Sequence, residues 1–173
     1  IPVSLDAPIF TLTHAMGFKG VLGGEYSFNR TEASVWKRFW LPSSWGKIDC
    51  SIKAGAEWNT VPFPLLILPE ANLSYITQRE TFNLINNMEF LNDRFASVSL
   101  SYDMNGKLLN RIPLIKNLKW REMFRVRALW GTLTDKNNPF KSSNPDLFRF
   151  PMRDGKFTSF VMDPKIPYVE ASV

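Results

Sequence analysis

Apolar and polar side chains alternate along three stretches of the chain. In residues 48–58 every even position is apolar, and every odd position is polar or glycine. The same alternation recurs in Phe95–Asn105 and in Arg121–Gly131. Successive side chains of a β-strand point to opposite faces, so this pattern predicts strands with one apolar and one polar face. The helical period of about 3.6 residues does not fit it.

Weaker alternation extends the prediction to an all-β, antiparallel fold. The alternation in Glu25–Leu41 is noisy, because Trp36 and Lys37 interrupt it, and the two terminal candidates, Ile9–Gly17 and Pro167–Val173, are weaker. The segment Glu80–Leu91 is compatible with a short helix, and its structure is left open. The predicted strands are Ile9–Gly17, Glu25–Leu41, Lys47–Trp58, Phe95–Asn105, Lys119–Leu133 and Pro167–Val173.

The lengths of strands and connections favour a barrel in a membrane. The clean strands have about 11 residues, against about 5–6 in ordinary globular sheets, and about 9–11 residues cross a bilayer at a tilt. Long connections are predicted at about 59–94 and 134–166, and shorter ones separate them. Outer-membrane barrels have short turns at one rim and long loops at the other. The pattern predicts an antiparallel up-and-down transmembrane β-barrel, with residues 1–173 forming part of one barrel domain.

Alternation alone leaves a second interpretation open. A soluble β-sandwich that binds a ligand or carbohydrate would bury the apolar faces as its core and use the long loops for recognition. Under the barrel interpretation, six strands are fewer than the roughly eight of the smallest spanning barrels. Open edges are costly in lipid. We therefore expect a partial open sheet that belongs to a longer protein.

The two faces give two sets of candidate residues, because a barrel turns its polar face to the lumen and its apolar face to lipid. The candidates for the lumen are charged, and they are Asp49, Lys53, Glu57, Asp103, Arg125 and Arg127. The candidates for contact with lipid are apolar, and they are Ile48, Ile52, Trp58, Val98, Leu100, Phe124, Val126 and Trp130.

Composition removes most catalytic schemes. Cys50 is the single cysteine and His14 the single histidine of the 173 residues, so no intrachain disulfide or cysteine-based zinc site is expected. No nucleophile elbow of the GxSxG type is present. The net charge is +5, but Lys and Arg are scattered singly, which argues against nucleic acid as a partner. The sequence thus predicts no catalytic residue, metal or cofactor.

An ordered series of motifs runs through the middle of the chain. They are Glu57–Leu66, Thr81–Asn86, Glu89–Phe90 with Asp93–Ser97, Leu109–Ile115 and Leu118–Glu122. Together they resemble the C-terminal region of a Bacteroidetes outer-membrane family. Its members join an N-terminal carboxypeptidase-like regulatory domain to a C-terminal β-barrel of unknown function.

The resemblance implies a bacterial outer-membrane location, a preceding N-terminal part and further strands after Val173. It supplies no catalytic residues. The expected function is that of a non-enzymatic outer-membrane protein in transport, assembly or a surface role. Its expected partners are membrane lipid and other outer-membrane proteins in a complex.

Overall fold

A computed structural model describes residues 7–78 and 80–173. Six strands form one antiparallel sheet, and they are β1 Ile9–Gly17, β2 Phe28–Trp40, β3 Lys47–Glu57, β4 Arg94–Asp103, β5 Met123–Thr132 and β8 Tyr168–Ser172. Their order in the sheet is β1-β2-β3-β4-β5-β8. Two-residue strands, β6 Met152–Arg153 and β7 Lys156–Phe157, form a separate hairpin. Within the described residues β1 and β8 are the edges, so the sheet is open.

The all-β class is confirmed, and each of the six predicted strands corresponds to a strand of the sheet. Helical structure in the described part of the chain is limited to the four-residue helix α1, Pro113–Lys116, and four short 3-10 helices. The latter are Phe63–Leu65, Leu109–Arg111, Asp135–Asn137 and Pro145–Leu147. Residues 80–91, left open by the sequence, contain bends and turns but no helix. Over residues 7–78 and 80–173, no helix has the length and hydropathy needed to cross a membrane.

The connections lie at two opposite ends of the sheet, because each strand runs antiparallel to its neighbours. The long-connection rim carries residues 18–27, 58–93 and 133–167. The short-connection rim carries residues 41–46 and 104–122. The two longest connections therefore share one rim, as the sequence predicts.

The β2–β3 turn requires glycine at residue 46. Gly46 has a φ of +90°, in the left-handed region, and its carbonyl accepts a hydrogen bond from the Leu41 amide at 2.9 Å. A Cβ at this position would lie 1.8 Å from the carbonyl oxygen of Asp103 on β4. Glycine thus permits both the tight reversal and the close approach of the turn to the neighbouring strand.

The two longest connections fold over the polar face of the sheet and form its hydrophobic clusters there. One cluster joins Val61, Leu66 and Leu91 of the first connection to Leu133 and Phe150 of the second. A second cluster packs side chains of both connections onto the sheet, and its buried members are Phe82, Ile85, Leu129 and Met162. Irregular segments thus supply much of the core that the described residues form.

Candidate functional site on the polar face of the sheet

Strand register puts the six charged candidates on one face. Asp49 pairs with Ser101, which in turn pairs with Arg125, and Ser99 pairs with Arg127. Pairing of Lys47 with Asp103 extends this face to the end of β4, and Lys53 and Glu57 continue it along β3 at two-residue spacing. Seven of the apolar candidates lie on the opposite face, and they are Ile48, Ile52, Val98, Leu100, Phe124, Val126 and Trp130.

Trp58 lies one residue beyond β3 and reaches towards the apolar face. Its indole Nε1 donates a hydrogen bond to Thr31 Oγ1 at 3.0 Å, and His14 Nδ1 lies 2.9 Å from the same oxygen. Thr31 pairs with Ala56 and so belongs to the apolar face. His14 is therefore part of a small polar group at the long-connection rim rather than of a site on the polar face.

The polar face is more deeply buried than the apolar face, most clearly on β5 and β8, which reverses the usual order in a half-covered sheet. Val126 on β5 is 47% exposed, whereas the next residue, Arg127, is 3% exposed. The same contrast holds for exposed Trp130 beside buried Leu129. A sheet of a water-soluble domain normally covers its apolar face and hydrates its polar one.

A charged cleft lies on the polar face towards the short-connection rim. Its volume is about 270 Å³, and its charged lining residues are Arg38, Lys47, Asp49, Glu80, Asp103 and Arg125. Arg38 donates two hydrogen bonds to Asp49 across the β2–β3 pair, from Nε at 2.6 Å and from Nη2 at 3.0 Å. This bidentate geometry fixes both side chains. The cleft thus contains both signs of charge, partly neutralised in place.

A second cleft of about 440 Å³ lies between the sheet and the first long connection. Lys53 projects from β3 into this region and pairs with Glu70 of the connection, Nζ to Oε1, at 2.7 Å. Both side chains are partly exposed to solvent. A solvent-exposed ion pair of this kind contributes little to the free energy of folding, so its main effect is on the orientation of the connection.

Arg127 and Glu170 connect the middle of the face to the same connection. Arg127 donates from Nε to Ser99 Oγ at 3.3 Å, and its guanidinium lies 5.8 Å from the ring centroid of Phe82. Glu170 on β8 pairs in register with Arg127. Its carboxylate accepts hydrogen bonds from the backbone amides of Asn83, at 2.9 and 3.0 Å, and Leu84, at 3.1 Å.

Removing the Glu170 carboxylate is expected to loosen residues 82–85. In Glu170→Ala the amides of Asn83 and Leu84 lose a charged acceptor, and each such hydrogen bond contributes about 1.5–3 kcal/mol. We expect amide hydrogen exchange at these two residues to accelerate about tenfold or more. Glu170→Gln, which keeps one carbonyl acceptor, is the matched control and should show a smaller change. Equal exchange in wild type and both variants would contradict this assignment.

Two fully buried carboxylates anchor the long-connection rim. Glu57 accepts hydrogen bonds from the Asn29 amide at 2.8 Å and the Asn59 amide at 3.3 Å, and Arg30 Nε lies 3.6 Å from its other oxygen. Asp93 accepts hydrogen bonds from the Thr134 amide and hydroxyl and from Asn137 Nδ2. These contacts hold the connections to the strand ends rather than presenting the carboxylates to a ligand.

The structure divides the six charged candidates among three environments. Asp49, Asp103 and Arg125 line the charged cleft, Lys53 and Arg127 contact the first long connection, and Glu57 is buried at the rim. Within residues 7–78 and 80–173, no group of three or more His, Cys, Asp or Glu side chains is arranged to hold a metal ion.

Sequence reasoning missed four residues that organise this face. Arg38 lies on the polar side of the noisy strand, but its pairing with Asp49 becomes clear only from the register. Glu170 lies in a short terminal strand, and a signal existed in its alternation with Val169 and Ala171. Glu70 and Glu80 belong to an aperiodic connection, which gives no indication of the strands that it contacts.

Comparison with known proteins identifies the family. The sequence profile of the C-terminal domain of a family of unknown function, DUF5686, matches residues 1–141. The chain belongs to this family. The match is consistent with the C-terminal part of the outer-membrane family that the motifs resemble. No curated protein and no solved structure shows significant similarity to the chain. The function of this DUF5686 C-terminal domain is therefore inferred from its own geometry.

Proposed function

We propose that this DUF5686 C-terminal domain forms part of the wall of a transmembrane β-barrel in a bacterial outer membrane. In this arrangement the apolar face contacts acyl chains and the polar face lines the lumen. The barrel is non-enzymatic and acts in transport, assembly or at the cell surface, as part of a longer Bacteroidetes protein with an N-terminal regulatory domain. Its partners are membrane lipid and other outer-membrane proteins, not nucleic acid.

The exposure of the apolar face is the observation that carries this proposal. Exposed apolar side chains recur on β1, β3, β4, β5 and β8, and they include Leu12, Ile52, Leu100, Val126 and Val169. Soluble monomers rarely expose contiguous apolar patches larger than a few hundred Å². Each Å² left in water forgoes about 25 cal/mol of burial free energy. Acyl chains remove this cost without a second protein layer.

The coverage of the polar face supports a lumen that is closed by its own connections. Phe82, Glu70 and Glu80 extend from the first long connection over strands β3, β4 and β5. Charges of both signs line the wall, and several are paired, as in Arg38 with Asp49. An open channel selective for one charge sign would instead present a ring of like charges. The arrangement therefore favours a plugged barrel that serves assembly or surface attachment.

A soluble binding module remains the alternative class. It would need a second layer over the apolar face, and the described residues place both long connections on the polar face instead. Such a layer would have to come from another chain or from further sequence. The two proposals therefore differ in the surroundings of a few apolar side chains.

Spin-label accessibility along β4 tests the proposal. Single cysteines are introduced in a Cys50→Ser background at the apolar-face positions Ala96, Val98 and Leu100 and at the polar-face positions Ser97, Ser99 and Ser101. In bilayers, labels on the apolar face should collide preferentially with oxygen, which concentrates in lipid. Labels on the polar face, which the long connections cover, should collide less with oxygen and only weakly with a water-soluble nickel chelate.

The polar-face labels are the internal control, because they share the strand and differ only in direction. If the three apolar-face labels were protected from both reagents, they would be buried in protein. The soluble-module alternative would then replace the barrel. Accessibility of the same labels to the nickel chelate would also contradict a lipid-facing wall.

A further inference from the structure

We infer that residues 104–122, at the short-connection rim, form a binding site for the headgroups of anionic glycerophospholipids. This inference rests on the proposed barrel, since it assigns the lipid that the barrel contacts at one rim. The site lies in the connection between β4 and β5, outside the charged polar face. Two independent features of this connection, its charge and its exposed apolar side chains, lead to it.

The charge of the connection is strongly one-sided. It contains five basic residues and one acidic residue, Glu122. The Glu122 carboxylate is directed inwards, because Oε1 accepts a hydrogen bond from the Leu109 amide. Among the described residues, no carboxylate forms an ion pair with any of the five basic side chains. The five basic residues are Lys107, Arg111, Lys116, Lys119 and Arg121.

The same connection exposes large apolar side chains. Leu114 is 87% exposed, and Leu118 and Trp120 are each more than half exposed. The connection is nevertheless ordered by backbone hydrogen bonds, including Met104 N to Glu122 O at 3.1 Å and Lys116 N to Ile112 O at 2.9 Å. Basic and apolar side chains held together on an ordered surface segment are typical of the boundary between lipid and water.

The neighbouring turn extends this surface with aromatic residues. Lys107 Nζ donates to the Ser43 carbonyl at 2.7 Å and lies 4.0 Å from the ring centroid of Trp45. The hydroxyl of Tyr102, on the apolar face, donates to the Trp45 carbonyl at 3.0 Å. Trp and Tyr concentrate at the level of lipid headgroups. The connection is thus continuous with the face that contacts acyl chains.

The position of the rim selects the lipid. In outer-membrane barrels the shorter connections face the periplasm, so this rim meets the periplasmic leaflet. A headgroup with a net negative charge attracts each basic side chain, and its phosphate diester accepts hydrogen bonds from that side chain. Each basic residue near an anionic membrane surface strengthens attraction about fivefold. A zwitterionic headgroup lacks this net charge and should bind more weakly.

Lipid titration of the purified protein, with all of its domains, tests the site. The protein in detergent micelles receives phosphatidylglycerol or phosphatidylcholine with identical acyl chains, and native mass spectrometry measures bound lipid. Wild type should prefer phosphatidylglycerol by about tenfold or more. The preference should fall to about twofold or less when four exposed basic residues are neutralised, in the variant Arg111→Gln, Lys116→Gln, Lys119→Gln and Arg121→Gln.

A matched variant at the long-connection rim keeps the change in net charge constant. It carries Arg149→Gln, Arg153→Gln, Lys156→Gln and Lys165→Gln, all at exposed positions, and it should retain the preference. The wild-type preference should also fall at high salt, because screening weakens exposed charge pairs. That measurement needs no variant to fold.

The outcomes distinguish a failure of the headgroup site from a failure of the barrel proposal. Equal binding of both lipids by wild type, or an unchanged preference in the short-rim variant, overturns the headgroup site while the barrel proposal stands. An equal loss in both variants would mean general charge attraction and would also overturn the site. A protein that stays soluble without detergent and binds neither lipid overturns the barrel, and the site with it.

Discussion

Replacing Val126 by arginine is expected to reduce the free energy of unfolding from bilayers by about 2–4 kcal/mol, the cost of Arg at the bilayer midplane on a barrel's lipid face. Val126 lies near the middle of β5, between Leu100 on β4 and Ala171 on β8. Its side chain is on the exposed apolar face, where arginine finds no carboxylate partner in lipid. Denaturant titration in phospholipid vesicles, followed by electrophoretic mobility of the folded form, measures the change.

Ser101→Arg is the matched control for this substitution. Ser101 lies on the adjacent strand but on the polar face, in the charged cleft that also contains Asp49 and Asp103. An arginine there has water and carboxylates within reach, so its effect should remain within about 1 kcal/mol. Val126→Ala should likewise cost little, since it adds no charge. If Val126→Arg were as mild as Ser101→Arg, the apolar face would not contact lipid.

The strands could be predicted because alternation is a local property. In β3 and β4 the side chain of every second residue reports its face, and no distant contact is needed to interpret it. The noisy strand β2 shows the limit of this reasoning. Lys37 lies on the apolar face, where its Nζ lies 5.0 Å from the ring centroid of Phe39 near the short-connection rim. A long basic side chain at a strand end can reach the polar boundary of the membrane. A charged residue can therefore interrupt the alternation although its side chain stays on the apolar face.

The coverage of the polar face could not be predicted, because it depends on contacts between segments that lack a period. Glu170 and Asn83 are 87 residues apart in sequence, and Asp93 and Asn137 are 44 apart. The apolar residues of the long connections, such as Leu91 and Phe150, give no indication of the surface that they cover. Sequence alone therefore predicts both faces but not which one the connections bury.

Replacing Asp93 by alanine is expected to destabilise the long-connection rim by about 3–5 kcal/mol. The Asp93 side chain is fully buried and accepts hydrogen bonds from the Thr134 amide at 3.1 Å, the Thr134 hydroxyl and Asn137 Nδ2 at 3.0 Å. Asn137 in turn accepts from the Val61 amide at 2.9 Å and donates to the Asn59 carbonyl at 3.2 Å. Alanine removes the acceptor and leaves buried donors unpaired, each at a cost of about 1–3 kcal/mol.

The expected consequence is local, because the six-stranded sheet does not depend on Asp93 for its pairing. Limited proteolysis should cleave residues 58–93 and 133–167 at least tenfold faster in Asp93→Ala, while the amides of β3 and β4 keep their protection from hydrogen exchange. Asp146→Ala removes an exposed carboxylate from the second connection and serves as the control. If both connections resisted protease equally in all three proteins, Asp93 would not hold them together. If the whole sheet lost protection, the connections would be part of one cooperative unit with the strands rather than a separable cover over the polar face.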